Sequence, residues 1–535
     1  MSVATRNHTQ NEFDYIVIGG GSAGCVVANR LVTAGYRVLL LEAGPADNTP
    51  LIHIPATFVR VLGTQRTWVY ETAPQTAAAG RRMYVPQGRT LGGGSSVNAM
   101  VYIRGTPADY DGWRDGGCPG WGWNEVLPVF RRAERNQRLA GPLHGTEGLL
   151  AVSDGSYRHP LSLGFVQGAQ ELGMPYNDDF NGATQAGVGF YQTTTLHGRR
   201  ASTAATYLAA VRDDSRLTVA SDCHVTRILF ENGVAVGVRY LLGNGTEVTA
   251  LAKREIVLTA GALASPKILM LSGIGPADQL LALGIPVVHD APEVGEHFQD
   301  HLEVSVYGRT REPISLAGQD RGWHALRHGA EYALFKSGLL TSNVVESGGF
   351  FDTVGSGRPD VQFHVLPVLA GDSDREPLAG HGISLNPCFL RPKSRGTVSL
   401  GSTDPLAPIH FQANYLSHPD DVQTLMRGVR LARRILRAPA LAKLIESELL
   451  PSAAAELSDA ELESYVRRYA KTVYHPAGTC RMGGDERAVV DPQLQVRGVR
   501  GLRICDASVM PTLISGNTNA PTIMIAERCA DFMLA

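Results

Sequence analysis

The chain has 535 residues, 44% hydrophobic and 19% charged, with 59 glycines; that length exceeds the size at which one core stops growing, so two domains, or one inserted in another, are expected in a folded α/β protein. With 49 basic residues against 51 acidic ones the formal charge is -2 and there is no basic stripe, which argues against nucleic acid as a partner. The seven cysteines are odd in number and lack a C-x-x-C pair, which argues against a zinc site and a disulfide framework.

The amino terminus, MSVATRNHTQNEFDY, has no basic stretch followed by an apolar one, and no apolar run is long enough to span a bilayer. The expectation is a cytoplasmic protein with no transmembrane segment, peripheral membrane contact being left open. The first β-rich run, Asp14 to Ile18, passes into GGGSAG (Gly19 to Gly24) and then into the helical CVVANRLVTAG. Gly19 permits a tight turn, Gly21 lets backbone approach a pyrophosphate, and Gly24 lets the helix pack on the strand. The amino end of that helix would face the phosphates. A second apolar run, RVLLLEAG, carries Glu42 and Ala43, with the acid where it can accept hydrogen bonds from a ribose. The pattern predicts a dinucleotide site and does not distinguish FAD from NAD; an ordinary βαβ turn is the bland alternative.

The loop GRTLGGGSSVN (Gly88 to Asn98) holds a run of small residues that lets backbone come close to something flat or charged. Further on, REIVLTAGALASPKILMLSGIG reads as a strand, a turn and a helix opening near Ser265 and Pro266. From about Glu312 to Ala470 motifs are sparse: a helical WHALRHGAEYALFKSG is followed by strand-like DVQFHVLPVL and GTVSLGS. Near the end, VYHPAGTCRMG sets His475 between Tyr474 and Pro476, and NTNAPTIMIAERCADFM predicts a helix from Ala520 with Asn519 as N-cap and Pro521 in its first turn. By itself His475 is a catalytic base, a metal ligand or a packed core residue. The metal reading lacks partners, because neither H-E-x-x-H nor C-x-x-C occurs.

Together with VGEHFQDH (Val294 to His301), HPAGTCRMG and SGNTNAPTIMIAE, these blocks resemble the glucose-methanol-choline (GMC) family of flavin oxidoreductases over nearly the whole chain. The resemblance implies an α/β fold: an FAD-binding, doubly wound (Rossmann-like) domain over 1–155, 200–311 and 470–535, with an inserted α+β substrate domain, containing an antiparallel sheet, over 156–199 and 312–469. It implies FAD, held non-covalently because Val97 stands where some choline-oxidising relatives carry a flavin-linked histidine. The implied cofactor contacts are Gly19, Gly21, Ser22, Ala23, Gly24, Glu42, Ala43, Gly92, Ser96, Asn98, Val101, Val225, Asp506, Ala507, Asn519, Pro521 and Thr522. His297 replaces an asparagine often seen in its block.

His475 matches the family's base, which takes the hydroxyl proton while hydride leaves for the flavin, and Asn519 matches the second residue of the pair, able to hold the substrate oxygen but not to act as base. Glu346, in SNVVESGGFF, matches a glutamate that faces a trimethylammonium group in choline-oxidising relatives. His301 is expected to be structural, and Cys480 and Met482 to be packing residues. The implied reaction is oxidation of a primary alcohol to an aldehyde, with choline as the alternative substrate and oxygen, a quinone or a dye as electron acceptor. A non-redox lyase of the same fold, a flavin-binding module without activity and a nicotinamide-dependent reductase are the competing readings.

Overall fold

The computed structural model describes residues 12–371, 378–451 and 456–535; the amino-terminal stretch read above for a targeting signal lies almost wholly outside them. Strand β1 (Glu12–Ile18) is buried through its YIVI end, as an unbroken apolar run is when parallel neighbours and helices cover both faces. It pairs in parallel with β2 (Val38–Leu41) on one side and with the strand Glu247–Leu258 on the other, and α1 (Ser22–Thr33) forms the crossover between β1 and β2. Leu217–Ala220 extends the sheet beyond β2. The long strand Glu247–Leu258 is shared on its far side: its first half takes the antiparallel hairpin Cys223–Glu231/Val234–Leu242, and its last residues take Leu502–Ile504 in parallel. A doubly wound sheet results, as the glycine fingerprint leads one to expect.

The second sheet is antiparallel, in the order Ile445–Leu450, Val306–Thr310, Gly382–Phe389, Val361–Leu366, Ser347–Phe351, Gly187–Phe190. Its strands alternate. Val361, Phe363 and Val365 join the apolar core built with the helices Pro160–Glu171 and Pro419–Leu436, the latter contributing Val422, Leu425, Met426, Val429 and Ile435 at helical spacing. His364 and Leu366, on the opposite face, line a cavity between the two sheets.

Leu302–Val304 and Ala470–Thr472 pair antiparallel in this second sheet, with Leu302 opposite Thr472 and Glu303 opposite Lys471. Residues 302–310 and 470–472, read from the sequence with the cofactor domain, therefore run in this second sheet.

Gly19 takes φ +106°, and a Cβ at Gly24 would lie 1.9 Å from the Gly19 carbonyl oxygen. A methyl group there would force α1 away from the turn after β1. Gly24→Ala is expected to lower the free energy of unfolding by about 1–3 kcal/mol, read from the denaturant midpoint. An unchanged midpoint would mean that this close approach is not made.

Candidate active site

The cavity between the sheets has a volume of about 420 Å³. Two helix amino ends open into it: α1, preceded by Gly21, and the carboxyl-terminal helix Asn519–Leu534, preceded by Thr518. Neither has a side-chain cap or an acidic residue in its first turn, so both direct unsatisfied N–H groups and partial positive charge at the same space. Ser22 Oγ donates to Asn519 Oδ1 at 2.8 Å and accepts from the Ser95 amide at 3.2 Å, which ties the two helix ends to the glycine-rich loop. The helix begins at Asn519 rather than after it. Its side-chain oxygen is occupied by Ser22 and is not the cap.

Of the cofactor contacts implied by the resemblance, Gly21, Ser22, Ala23, Asn98, Val101, Asp506, Ala507, Asn519 and Thr522 lie on the cavity wall. Gly19, Gly24, Glu42, Ala43, Gly92, Ser96, Val225 and Pro521 are not among the residues that line it. Glu42 accepts from the amides of Gly20 and Gly44, both at 2.8 Å, and so fixes the turn, while burial pushes its carboxyl up to about 7 against those two donors. Ser96 Oγ donates to the Leu91 carbonyl inside the glycine loop. Val225 lies in the strand next to Glu42, whose carbonyl accepts from the Cys223 amide. Asp506 accepts from Gly261 N, Ser265 Oγ and Ser508 N, which anchors the turn before the helix Ala264–Leu271.

Arg200 is a component that no motif announces. It is fully buried, donating to the carbonyls of Ile52 and Ser95 and to Asn98 Oδ1, and its Nη2 has no partner among the described residues. Burial pushes its pKa down to about 9. A cation held behind the Gly92–Asn98 loop adds to the helix ends in favouring an anion in front of it.

At the other end of the cavity, His475 has His301 beside it, Nδ1 to Nδ1, at 3.1 Å. His301 Nε2 lies 3.0 Å from the Leu390 carbonyl, an acceptor only, so Nε2 carries the proton and Nδ1 is left to accept. His475 then donates from Nδ1 and presents an unprotonated Nε2. Asn517 Nδ2 lies 3.4 Å from that nitrogen, with its amide orientation set by Gln362 Nε2, which donates to Asn517 Oδ1 at 3.1 Å. The amide partner of His475 is thus Asn517, and the expectation of Asn519 is corrected: Asn519 begins the helix and faces Ser22, whereas Asn517 precedes it and reaches the histidine. His301 is also more than structural, since it selects the tautomer of His475.

Asp300 holds this arrangement from behind. Its carboxylate accepts from the His475 amide at 2.8 Å, from Tyr415 OH at 2.6 Å and from Thr472 Oγ1. Burial pushes the Asp300 carboxyl up to about 6 and His301 down to about 4. Burial, with the neighbouring His301 and His364, holds His475 well below the ordinary imidazole value. His297, at φ +59°, occupies a left-handed conformation that asparagine tolerates, and its Nε2 lies 3.1 Å from Glu293. Cys480 and Met482 are fully buried.

Glu346 does not reach the cavity. Its oxygens accept from the His159 amide and Ser342 Oγ, both at 2.6 Å, while the adjacent Val345 lines the wall. Alternation along an extended chain turns successive side chains to opposite sides. Near His475 the described carboxylate on the cavity wall is Glu303, with His364 and Lys471 beside it. Among the described residues no cluster of His, Cys, Asp or Glu could hold a metal ion, and no helix is long and apolar enough to cross a membrane.

These residues fit a dinucleotide cofactor, whose pyrophosphate the uncapped end of α1 would hold. The fit includes the close approach of Gly93 to Gly21, where a Cβ on Gly93 would stand 2.6 Å from the Gly21 Cα. Val97, on the wall, offers no nucleophile for a covalent link. Depressed histidine pKa values favour the neutral form in the fold, so stability conferred above about pH 6.5 is lost as pH falls towards the folded-state values. In histidine-labelled protein, ¹⁵N spectra at about pH 6, below the free imidazole value, are expected to show His475 neutral with Nε2 unprotonated. A doubly protonated His475 there would contradict the geometry.

Two family profiles described as GMC oxidoreductase match residues 13–303 and 392–526. An alcohol dehydrogenase (acceptor) of Pseudomonas putida is 46% identical over 531 residues, 98% of this chain and 96% of that one. An oxygen-dependent choline dehydrogenase of Pseudomonas syringae pv. syringae is 42% identical, covering 98% and 94%. Among solved structures, pyridoxine 4-oxidase from Mesorbium loti superposes with a TM-score of 0.88 at 32% identity, covering 97% of this chain and 98% of that one. A formate oxidase superposes at 0.90 with 25% identity, covering 98% of each. With the doubly wound sheet, the antiparallel sheet and the cavity between them, these similarities establish that the chain belongs to the GMC oxidoreductase family, whose cofactor is FAD.

Proposed function

We propose that the protein oxidises a primary alcohol to the aldehyde, with His475 as proton acceptor and Asn517 as the amide that holds the substrate oxygen. The observation that carries this reading is the chain Leu390 carbonyl, His301, His475, which leaves a lone pair on His475 Nε2 at the cavity wall. FAD, when bound, supplies the hydride acceptor. His475 Nε2 takes the hydroxyl proton, and its depressed pKa keeps it available below neutral pH. Asn517 Nδ2, beside it, donates to the same oxygen and fixes the carbon that loses hydride. The two uncapped helix ends favour negative charge on the cofactor side, by about 0.3–2 kcal/mol each. Choline is the second reading, supported by the similarity to choline dehydrogenases.

For the electron acceptor the reading is a quinone or dye, supported by the similarity to the alcohol dehydrogenase (acceptor). A surface feature supports contact of a cytoplasmic enzyme with an anionic bilayer. On the helix Gly322–Phe335, Trp323, Leu326, Leu334 and Phe335 are 67–76% exposed, and Arg321, Arg327 and Lys336 are exposed around them. An apolar aromatic face rimmed by basic side chains suits the boundary of an anionic membrane. Asp320, just before this helix, pairs with Arg60 at 2.7 Å, next to the cavity residues Phe58 and Val59.

In anaerobic stopped-flow, His475→Gln is expected to slow flavin reduction by alcohol about 10²–10⁴-fold while the bound flavin spectrum is retained. Reduction at the wild-type rate would remove His475 from the role. When the reduced wild-type enzyme is then mixed with air, persistence of the bleached spectrum supports the quinone or dye, and rapid recovery makes oxygen the acceptor. For the membrane face, the protein is expected to sediment with vesicles containing phosphatidylglycerol but not with pure phosphatidylcholine, and Trp323→Glu should abolish this. Failure to sediment with either would discard the bilayer reading, and a dimer dissociated by Trp323→Glu would assign the face to a second copy.

A further inference from the structure

Among the described residues the cavity wall carries two carboxylates: Asp506, on the cofactor side and already used by two amides and a hydroxyl, and Glu303 at the substrate end. That carboxylate, Glu303, is flanked on both oxygens: His364 Nδ1 lies 3.0 Å from Oε2 and Lys471 Nζ 3.6 Å from Oε1. The arrangement is fixed by strand pairing. Glu303 stands opposite Lys471 in one register and opposite Cys388 in the next, and the strand Gly382–Phe389 in turn pairs with the strand that bears His364. All three side chains are largely buried, and all three line the cavity with His475.

An alcohol with a permanent positive charge needs a carboxylate or an aromatic face to replace its water. Here Lys471 would repel such a charge at the carboxylate, at a separation where little water screens it. The aromatic side chains on the wall are Phe58, Trp68, Tyr70 and Tyr474, of which Trp68 already has the Arg89 guanidinium over its ring, 4.7 Å from the centroid. His364 Nε2, buried, has no partner among the described residues, which gives this end a polar contact besides the ion pair.

We infer that Lys471, by neutralising Glu303, makes this site select an uncharged alcohol and reject a quaternary ammonium alcohol of the same shape. The inference rests on the alcohol-oxidising reading and narrows its substrate class. Lys471 is then a specificity-determining residue, and its removal opens the Glu303 carboxylate to a cationic substrate.

The test compares choline with 3,3-dimethyl-1-butanol, which has the same shape with carbon in place of the charged nitrogen, on the flavin-loaded enzyme. Wild type is expected to favour the neutral compound in kcat/KM by about tenfold or more, the scale of one close, poorly screened charge. Lys471→Met, similar in length, should move the ratio towards choline by about tenfold or more, whereas Lys471→Arg should keep the wild-type preference. Dissociation constants from flavin difference spectra, read in a His475→Gln background where reduction is slow, give the same ratio without turnover. If Lys471→Met does not retain flavin, Lys471→Gln replaces it. Choline used as well as its isostere by wild type, or a ratio unmoved in a flavin-bound Lys471 variant, would overturn the inference. Those outcomes leave alcohol oxidation standing; it fails only if no alcohol bleaches the flavin.

Discussion

The site depends on one antiparallel pairing, that of Leu302–Val304 with Ala470–Thr472. It joins segments far apart in the chain and sets His301 beside His475, because the Val473 amide donates to the His301 carbonyl just outside the paired residues. Asp300 closes the arrangement by accepting from the His475 amide, Thr472 and Tyr415 together. A slip of one residue would turn Glu303 and Lys471 to the other face of the sheet and separate the two imidazoles. Base, tautomer and the charge at the substrate end are therefore consequences of one register.

The two ends of the cavity differ electrostatically. On the cofactor side, α1 and the carboxyl-terminal helix bring uncapped amino ends together, and Arg200 lies buried behind the glycine loop without an acidic partner among the described residues. This side favours negative charge. On the substrate side burial favours the neutral form of the His301 and His475 imidazoles, and the Glu303 carboxylate has cationic or polar neighbours on both oxygens. A proton can be accepted there without a permanent charge being attracted.

Much of this was legible in the chain because it is local. The strand, glycine turn and helix at Glu12–Thr33 follow from adjacent residues, each needed for its own conformation, and the carboxyl-terminal blocks were enough to place the chain in its family. Position within a block was less secure. Asn517 and Asn519 both precede the last helix, and only the helix start, the Ser22 contact and the Gln362 contact separate their roles. Glu346 and Glu303 pose the same problem in strands, where one residue of phase decides which side chain faces the cavity.

By itself, then, the sequence determined the dinucleotide turn, the family and the identity of His475 as the candidate base, since short-range spacing and side-chain chemistry suffice for these. Only the tertiary structure decided that Asn517 is its amide partner, that His301 sets its tautomer, that Arg200 stands behind the cofactor loop and that Lys471 meets Glu303. Each of those contacts joins residues distant in the chain through strand register or burial, and no local pattern records such a distance.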